Sequence, residues 1–384
     1  TAWAEECEKP KVDGYDYVDC LNEGLAIVSR NGKYGFVDKT GQVVISLKFD
    51  EAWSFYEGLA MVKQNDKWGF IDKKGKIIIP LKFDGVGYFI EGLAIVFQNN
   101  KLGFIDKTGK VVIPLKFDDA SSFSEGLARV SQNDKWGFID KTGKVVIPLQ
   151  FDNVYNFSED LVLVSQNGKW GFIDKTGTVV VPLKFDGAFD FSEGLAVVRN
   201  SDKYGFIDKT GKVVIALQFD KAWDFSEGLA VVSQDGKYGF IDKTGKIVVP
   251  FQFDEISDFI DDLAIVRKDD KYGFIDKTGK IVVPLRFDGI SEFIDDLAIV
   301  RKDDKYGFID KTGKIVVPLR FDGVSYFKDG LTIVSQDGKY GFIDRTGKLI
   351  TPIQFDQVWD FSECLAIVSQ NDKYGFIDRT GTVS

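Results

Sequence analysis

Lys135-Trp136-Gly137-Phe138-Ile139-Asp140-Lys141-Thr142-Gly143-Lys144 decides the fold, because the chain writes this phrase eleven times at a spacing of 34 residues. Its Gly-Phe pairs begin at Gly35, Gly69, Gly103, Gly137, Gly171, Gly205, Gly239, Gly273, Gly307, Gly341 and Gly375, with no insertion or deletion between them. Self-similarity at a fixed period of this size marks a repeat array, and an array of any length is one quasi-linear assembly rather than a set of ordinary domains. Some helical repeats share the 34-residue period. Here glycine interrupts every run, β-branched residues fill the runs, and apolar residues alternate with period two, so the units are strands.

Residues 120–153 serve as the type unit. A Ser-Glu-Gly turn leads into a first strand over 127–131, and Asn133-Asp134 then makes a tight connection. Sister units use Asn31-Gly32, Asp235-Gly236 and Asp337-Gly338 there, residues that tolerate the positive φ of a type I′ hairpin. The second strand covers residues 135–140, and Lys141-Thr142-Gly143 turns the chain into a third strand over 145–151. The connector at 151–158 has room for a short fourth strand. Proline recurs in the third strand, at Pro80, Pro114, Pro148, Pro182, Pro250, Pro284, Pro318 and Pro352. It cannot donate to a ladder, so this strand is expected at the sheet edge. The glycine between the two aromatics is expected to make room for a ring of the neighbouring sheet.

The Lys-Trp-Gly-Phe-Ile-Asp core, the Glu-Gly-Leu-Ala lead-in and the Pro-Leu-Lys-Phe-Asp exit resemble the WG (KWG) β-repeats of many bacterial proteins, over roughly residues 15–384. The tryptophan of that family survives at Trp68, Trp136 and Trp170; Tyr34, Tyr204, Tyr238, Tyr272, Tyr306, Tyr340 and Tyr374 replace it elsewhere, and Leu102 once. The resemblance implies a non-catalytic interaction or structural module and supplies no catalytic residue.

The expected fold is therefore all-β: tandem β-meander repeats stacked as an open β-superhelix or solenoid, with a closed β-propeller-like ring as the alternative. Sheets stack ~10 Å apart and eleven of them exceed the 4–8 blades of ordinary propellers, while twist accumulates along the stack; both favour the open form. Residues 1–14 form an N-terminal strand or arm, and residues 15–384 form the array of eleven repeats, the last lacking its third strand. Residues 259–289 recur unchanged as 293–323, which points to a copied unit.

Composition narrows the function. The net charge of −10 leaves no basic stripe for nucleic acid, and no apolar run reaches the ~20 residues of a membrane helix. There is no histidine, so no His-based general base, triad or zinc site can be built. No Gly-rich phosphate loop occurs, and the recurring Asp residues read as turn caps; no catalytic residue, cofactor or metal is expected. Arg267-Lys268-Asp269-Asp270-Lys271 could be weighed for Ca²⁺, but its interleaved cations argue against it. The aromatic row Trp68, Trp136, Trp170, Tyr204, Tyr238, Tyr272, Tyr306, Tyr340 and Tyr374 reads as inter-repeat core in preference to a stacking ladder for carbohydrate.

Ala2-Trp3-Ala4 before Glu5-Glu6-Cys7 has the form of a signal-peptidase site, and Cys7, Cys20 and Cys364 lie near the two ends. Both features point to an extracellular, cell-surface or periplasmic location after signal-peptide removal. The expectation is a secreted, non-enzymatic structural protein that assembles head to tail into filaments. In that reading no terminal cap is recognisable, residues of the 1–14 arm pair with residues 374–378 of another copy, and Cys364 bonds Cys7 or Cys20 between chains. The alternative is a monomeric binding or adhesion scaffold for another surface protein or a carbohydrate.

Overall fold

A computed structural model describes residues 7–361 and 365–382. The Ala2-Trp3-Ala4 motif and Cys364 lie outside the described residues. The fold is all-β: eleven antiparallel sheets in tandem, nine of four strands and two of three among the described residues, each in sequential strand order and none closed into a barrel. In the type sheet the strands are Asp119–Ala120, Leu127–Gln132, Lys135–Asp140 and Val145–Phe151. The connector thus holds the short lead strand for which it has room, and the proline-bearing strand is at the edge. Among the described residues no helix is long and apolar enough to cross a membrane.

The chain divides into two compact units, residues 1–185 and 186–384. Within each, sheets stack in chain order as an open solenoid, every sheet burying a face against the next. That stacking follows from the composition of the strands: Leu195–Asn200 is apolar on both sides and buried over its first four residues, so a lone sheet would leave one apolar face in water. Where a further sheet follows within the unit, the phenylalanine of the Gly-Phe pair reaches it. Phe36 meets Phe55 with ring centroids 4.9 Å apart, and Phe206 meets Phe225 at the same distance. Phe206 is fully buried in a cluster with Ile215, Phe219 and Ile241.

Turn chemistry follows the residue types. Asn133 and Asp134 have φ of 51° and 59°, the pair of positive values a type I′ hairpin needs. Asp160, Asp262 and Asp296 replace a turn glycine at φ of 71°, 65° and 66°, a conformation Asp tolerates better than most residues.

The glycine between the aromatics serves a different purpose from the one expected. A Cβ on Gly103 would lie 2.6 Å from the Ile113 carbonyl oxygen and 2.8 Å from Leu115 N, both in the edge strand of its own sheet. Pairing jumps there from Leu102↔Phe117 to Phe104↔Ile113, so the edge strand carries a bulge that folds down onto the glycine. Pro114 sits in that bulge, where no ladder donor is required. The constraint is backbone against backbone within one sheet, with no ring of a neighbour involved.

The N-terminal segment also departs from expectation. Leu21 N–H donates to the Glu8 carbonyl at 2.8 Å, and Val12 and Tyr15 pack over Ala26, Val28 and Val37 of the first sheet. Cys7 and Cys20 are bonded to each other, with Cα atoms 5.2 Å apart. The described part of the arm is therefore a cap on the outer face of its own first sheet, covering the apolar surface of Ala26, Val28 and Val37. Neither cysteine is left for Cys364, which removes the cross-chain pairing expected from their placement.

Burial separates the two ends of the strand carrying Phe206. Phe206→Ala should lower unfolding stability by about 3–5 kcal/mol as a core truncation. Lys203→Ala loses only an exposed ion pair to Asp220 and should cost under about 0.5 kcal/mol. Thermal and urea melts of the two variants check this; equal costs would place Phe206 outside the inter-sheet core.

Candidate binding face

Most charges of the repeat are committed to architecture. Asp220, at the end of an edge strand, accepts from Lys203 Nζ at 2.6 Å in its own sheet and from the Asp235 N–H at 2.7 Å in the next hairpin. Asp242 closes the following turn, accepting from the Thr244 N–H at 2.9 Å, the Thr244 hydroxyl at 2.6 Å and the Lys246 N–H at 3.1 Å. Glu193 reaches across to the next sheet, where it accepts from the Gly228 N–H at 3.0 Å and pairs with Lys243 at 3.0 Å. Lys203 holds the Asp220 carboxyl below its ordinary pKa, the Thr244 hydroxyl does so for Asp242, and Lys243 for Glu193. The Asp caps were legible in sequence. The Glu–Lys clasp was not, since its partners are 50 residues apart and meet only when two sheets stack.

A second set of side chains has no such engagement. In the unit 186–384, the loops after the first four short lead strands present pairs of residues: Phe189-Asp190, Trp223-Asp224, Ser257-Asp258 and Ser291-Glu292. Trp223 is 44% exposed and lies 5.8 Å, centroid to centroid, from Tyr238. On one side of Trp223 is a cavity of about 270 Å³ lined by Phe189, Tyr204 and Asp224; on the other is one of about 440 Å³ lined by Tyr238, Asp258 and Glu292. The carboxylates of Asp190, Asp224, Asp258 and Glu292 make no hydrogen bond or ion pair among the described residues. They are open to solvent, yet protein surrounds Asp190 and Asp224 closely enough that burial raises both pKa values, and Asp190 raises that of Asp224 further. The corresponding positions of the first unit are Ser54, Tyr88, Ser122 and Asn156, so the acidic row belongs to the second unit alone.

The aromatic row singled out in sequence is only partly core. Trp68, Trp136, Trp170, Tyr204, Tyr238, Tyr272 and Tyr306 are half-buried, and Tyr340 and Tyr374 are exposed. Trp136 packs one edge on the cluster around Phe138, Ile147 and Ile173, as expected of a core residue. Tyr204 and Tyr238 turn their other edge to the cavities beside Trp223. The residues that reading the repeat alone missed are Asp190, Asp224, Asp258 and Glu292, whose signal is an acidic residue recurring at the repeat period in one half of the chain. Cys7 and Cys20 are remote from this row in sequence and belong to the cap. In the stretch weighed for Ca²⁺, Asp270 is bound to Arg267 at 2.9 Å.

These features define a tandem β-repeat protein with a loop-built face of aromatic rings and unpaired carboxylates. The model of the WG containing repeat matches residues 14–34, 34–68, 68–101, 103–136, 136–170, 170–204, 204–238, 238–272, 272–306, 306–340 and 340–374, and the chain belongs to that family. No curated protein matches it in sequence. Among solved structures it is similar to a eukaryotic initiation factor at 11% identity, covering 74% of this chain and 92% of that one, with a TM-score of 0.34. It is also similar to PorZ, a surface component of the type-IX secretion system of Porphyromonas gingivalis, at 8% identity, 98% and 69% coverage and a TM-score of 0.26. Hsv2p of Kluyveromyces lactis matches at 12% identity, 58% and 91% coverage and a TM-score of 0.29. Likeness this distant carries no argument about activity.

The two carboxylate classes respond oppositely to acid. Lowered values, as at Asp220 and Asp242, give stability that is complete above the unfolded carboxyl pKa of ~3.9 and disappears as pH falls through the folded values. Raised values, as at Asp190 and Asp224, destabilise the fold once pH exceeds the unfolded pKa, and this cost is relieved on protonation. The lowered class is the larger, so urea midpoints should fall as pH drops below about 4. Asp190→Asn with Asp224→Asn should raise the midpoint at pH 7 and make no difference near pH 3; a lowered midpoint at pH 7 would contradict the assignment.

Proposed function

We propose that the protein is a non-catalytic scaffold working outside the cytoplasm, whose second unit binds a macromolecular partner through cationic groups. The observation that carries this reading is the row of carboxylates without counter-ions beside the exposed ring of Trp223 and the half-buried ring of Tyr238. A partner's ammonium or guanidinium groups would relieve the carboxylate repulsion and lie over aromatic faces, which attract cations. The absence of histidine from the sequence and the architectural use of most Asp residues support a role without catalysis. The bond between Cys7 and Cys20 supports an oxidising compartment.

Titration of octalysine against Trp223 fluorescence tests the binding reading. Binding should weaken as salt rises, and fall about tenfold or more in the Asp190→Asn/Asp224→Asn protein. Octalysine affinity that this variant leaves unchanged would overturn it. Alkylation of protein taken from its native host without reductant should leave Cys7 and Cys20 unlabelled; labelling of both would overturn the compartment.

A second reading, head-to-tail self-assembly, is favoured by one observation. Tyr374, Phe376, Leu365 and Ile367 of the last sheet are 72%, 49%, 44% and 41% exposed, whereas Phe342, the counterpart of Phe376 one repeat earlier, is 1% exposed. A second copy stacking there would have to displace or accommodate the cap on its own first sheet. Sedimentation velocity with electron microscopy separates the readings: a monomer at all concentrations supports the scaffold, and concentration-dependent fibres support assembly.

A further inference from the structure

In an array that copies nearly every position, departures that converge on one place deserve a physical account, and two of them meet in the unit 1–185. The third residue of the first long strand is Ile27, Met61, Ile95, Leu163, Val197, Val231, Ile265, Ile299, Ile333 and Ile367 in ten repeats, and Arg129 in the remaining one. The short lead strand has two residues elsewhere, as at Asp119–Ala120, but six at Asn153–Ser158, directly after the sheet of Arg129. The loop beside them carries Ser121, which like Ser257, Ser291 and Ser325 leaves open the space that a ring takes at Trp53, Tyr155, Phe189, Trp223 and Trp359.

The result is a cavity of about 370 Å³, within the range of small-molecule sites, and Arg129 lines it. The fold anchors this arginine without neutralising it. Its Nη1 donates to the Val154 carbonyl at 2.8 Å, on the lengthened strand, and its guanidinium lies 4.8 Å from the Trp136 ring centroid. Arg129 makes no ion pair among the described residues, and its Nε is buried without an acceptor. The other cation on the wall, Lys175, is already paired with Glu125. Ser122, Ser124 and Asn156 also line the cavity, and among the described residues their side chains have no hydrogen-bond partner. In a sister repeat the hydroxyl of Ser192, the counterpart of Ser124, is used up on the Phe225 carbonyl at 2.8 Å. Phe157 supplies an apolar wall.

We propose that this cavity is a binding site for a sugar acid, a carboxylate-bearing monosaccharide held by Arg129. An anion supplies the counter-charge that a half-buried arginine lacks, and the planar guanidinium suits a carboxylate. Free hydroxyls and an amide around it match a polyol body, and the Phe157 ring suits the apolar face of a sugar. The volume is too large for an inorganic anion to fill. The site lies in the other unit from the acidic row, so it stands apart from the scaffold reading and its test does not decide that reading.

The experiment is calorimetry on the full chain with D-glucuronate and D-galacturonate as probes, and with D-glucose and inorganic sulfate as controls. At least one sugar acid should bind saturably and change Trp136 fluorescence, and glucose should not. Arg129→Ile restores the residue type of the other repeats, so it is expected to fold, which a melt verifies. It should reduce sugar-acid affinity about tenfold or more, the loss of a charge-assisted contact, and Arg129→Lys should recover only part. Asn156→Ala tests the polyol contact and should weaken the sugar acid while leaving sulfate unaffected. Failure of both sugar acids to bind, binding unchanged in Arg129→Ile, or sulfate binding as tightly as the sugar acids would each overturn the proposal.

Discussion

The stack depends on one constraint: a four-stranded meander whose long strands are apolar on both sides cannot bury both faces by itself. Each sheet must be covered twice, and the contact that does this most directly is the Gly-Phe ring against the connector phenylalanine of the next sheet, as Phe206 against Phe225. The connector belongs in sequence to the sheet it enters and packs against the sheet it has left. Stacking order is thus set by chain order, and no long-range choice of partner arises. The same constraint explains why the segment with Val12 lies over the outer face of the first sheet, held by the bond between Cys7 and Cys20.

Charge sits on this apolar framework in two roles. Carboxylates such as Asp220 and Glu193 each accept from one backbone N–H and one lysine, and both contacts of Glu193 lie in the following sheet. They are exposed pairs of modest individual worth, but they satisfy turn donors and hold adjacent repeats in register. Asp190, Asp224, Asp258 and Glu292 do none of this. A carboxylate that stabilises nothing around it, in a fold that otherwise uses its carboxylates so consistently, is what the proposed cationic partner would neutralise.

A repeat array also makes function visible as departure from its own pattern. Arg129 replaces an aliphatic residue and Asn153–Ser158 lengthens a strand, beside a loop whose Ser121 adds no ring. Each is unremarkable singly. Together they leave a cavity with an unpaired cation in its wall, which packing alone would not favour, since a half-buried charge without a counter-charge costs stability.

The sequence by itself determined the architecture. The 34-residue period, the positive-φ pairs such as Asn133-Asp134 and the prolines of the edge strand are local signals, and local geometry obeys them: strand limits, hairpin type and edge position were all legible. What only the tertiary structure decided are contacts between positions far apart in the chain. The bulge pressing on Gly103, the clasp of Glu193 with Lys243 and the folding back of the N-terminal cap all require two segments to be brought together, and residue types alone leave their partners open. The same holds for the candidate sites. A row of aromatic side chains reads as core in sequence, because hydrophobicity carries no direction. Stacking buries the inner edge of Tyr238 and leaves its outer edge facing a cavity, and that division exists only once neighbouring sheets are in place.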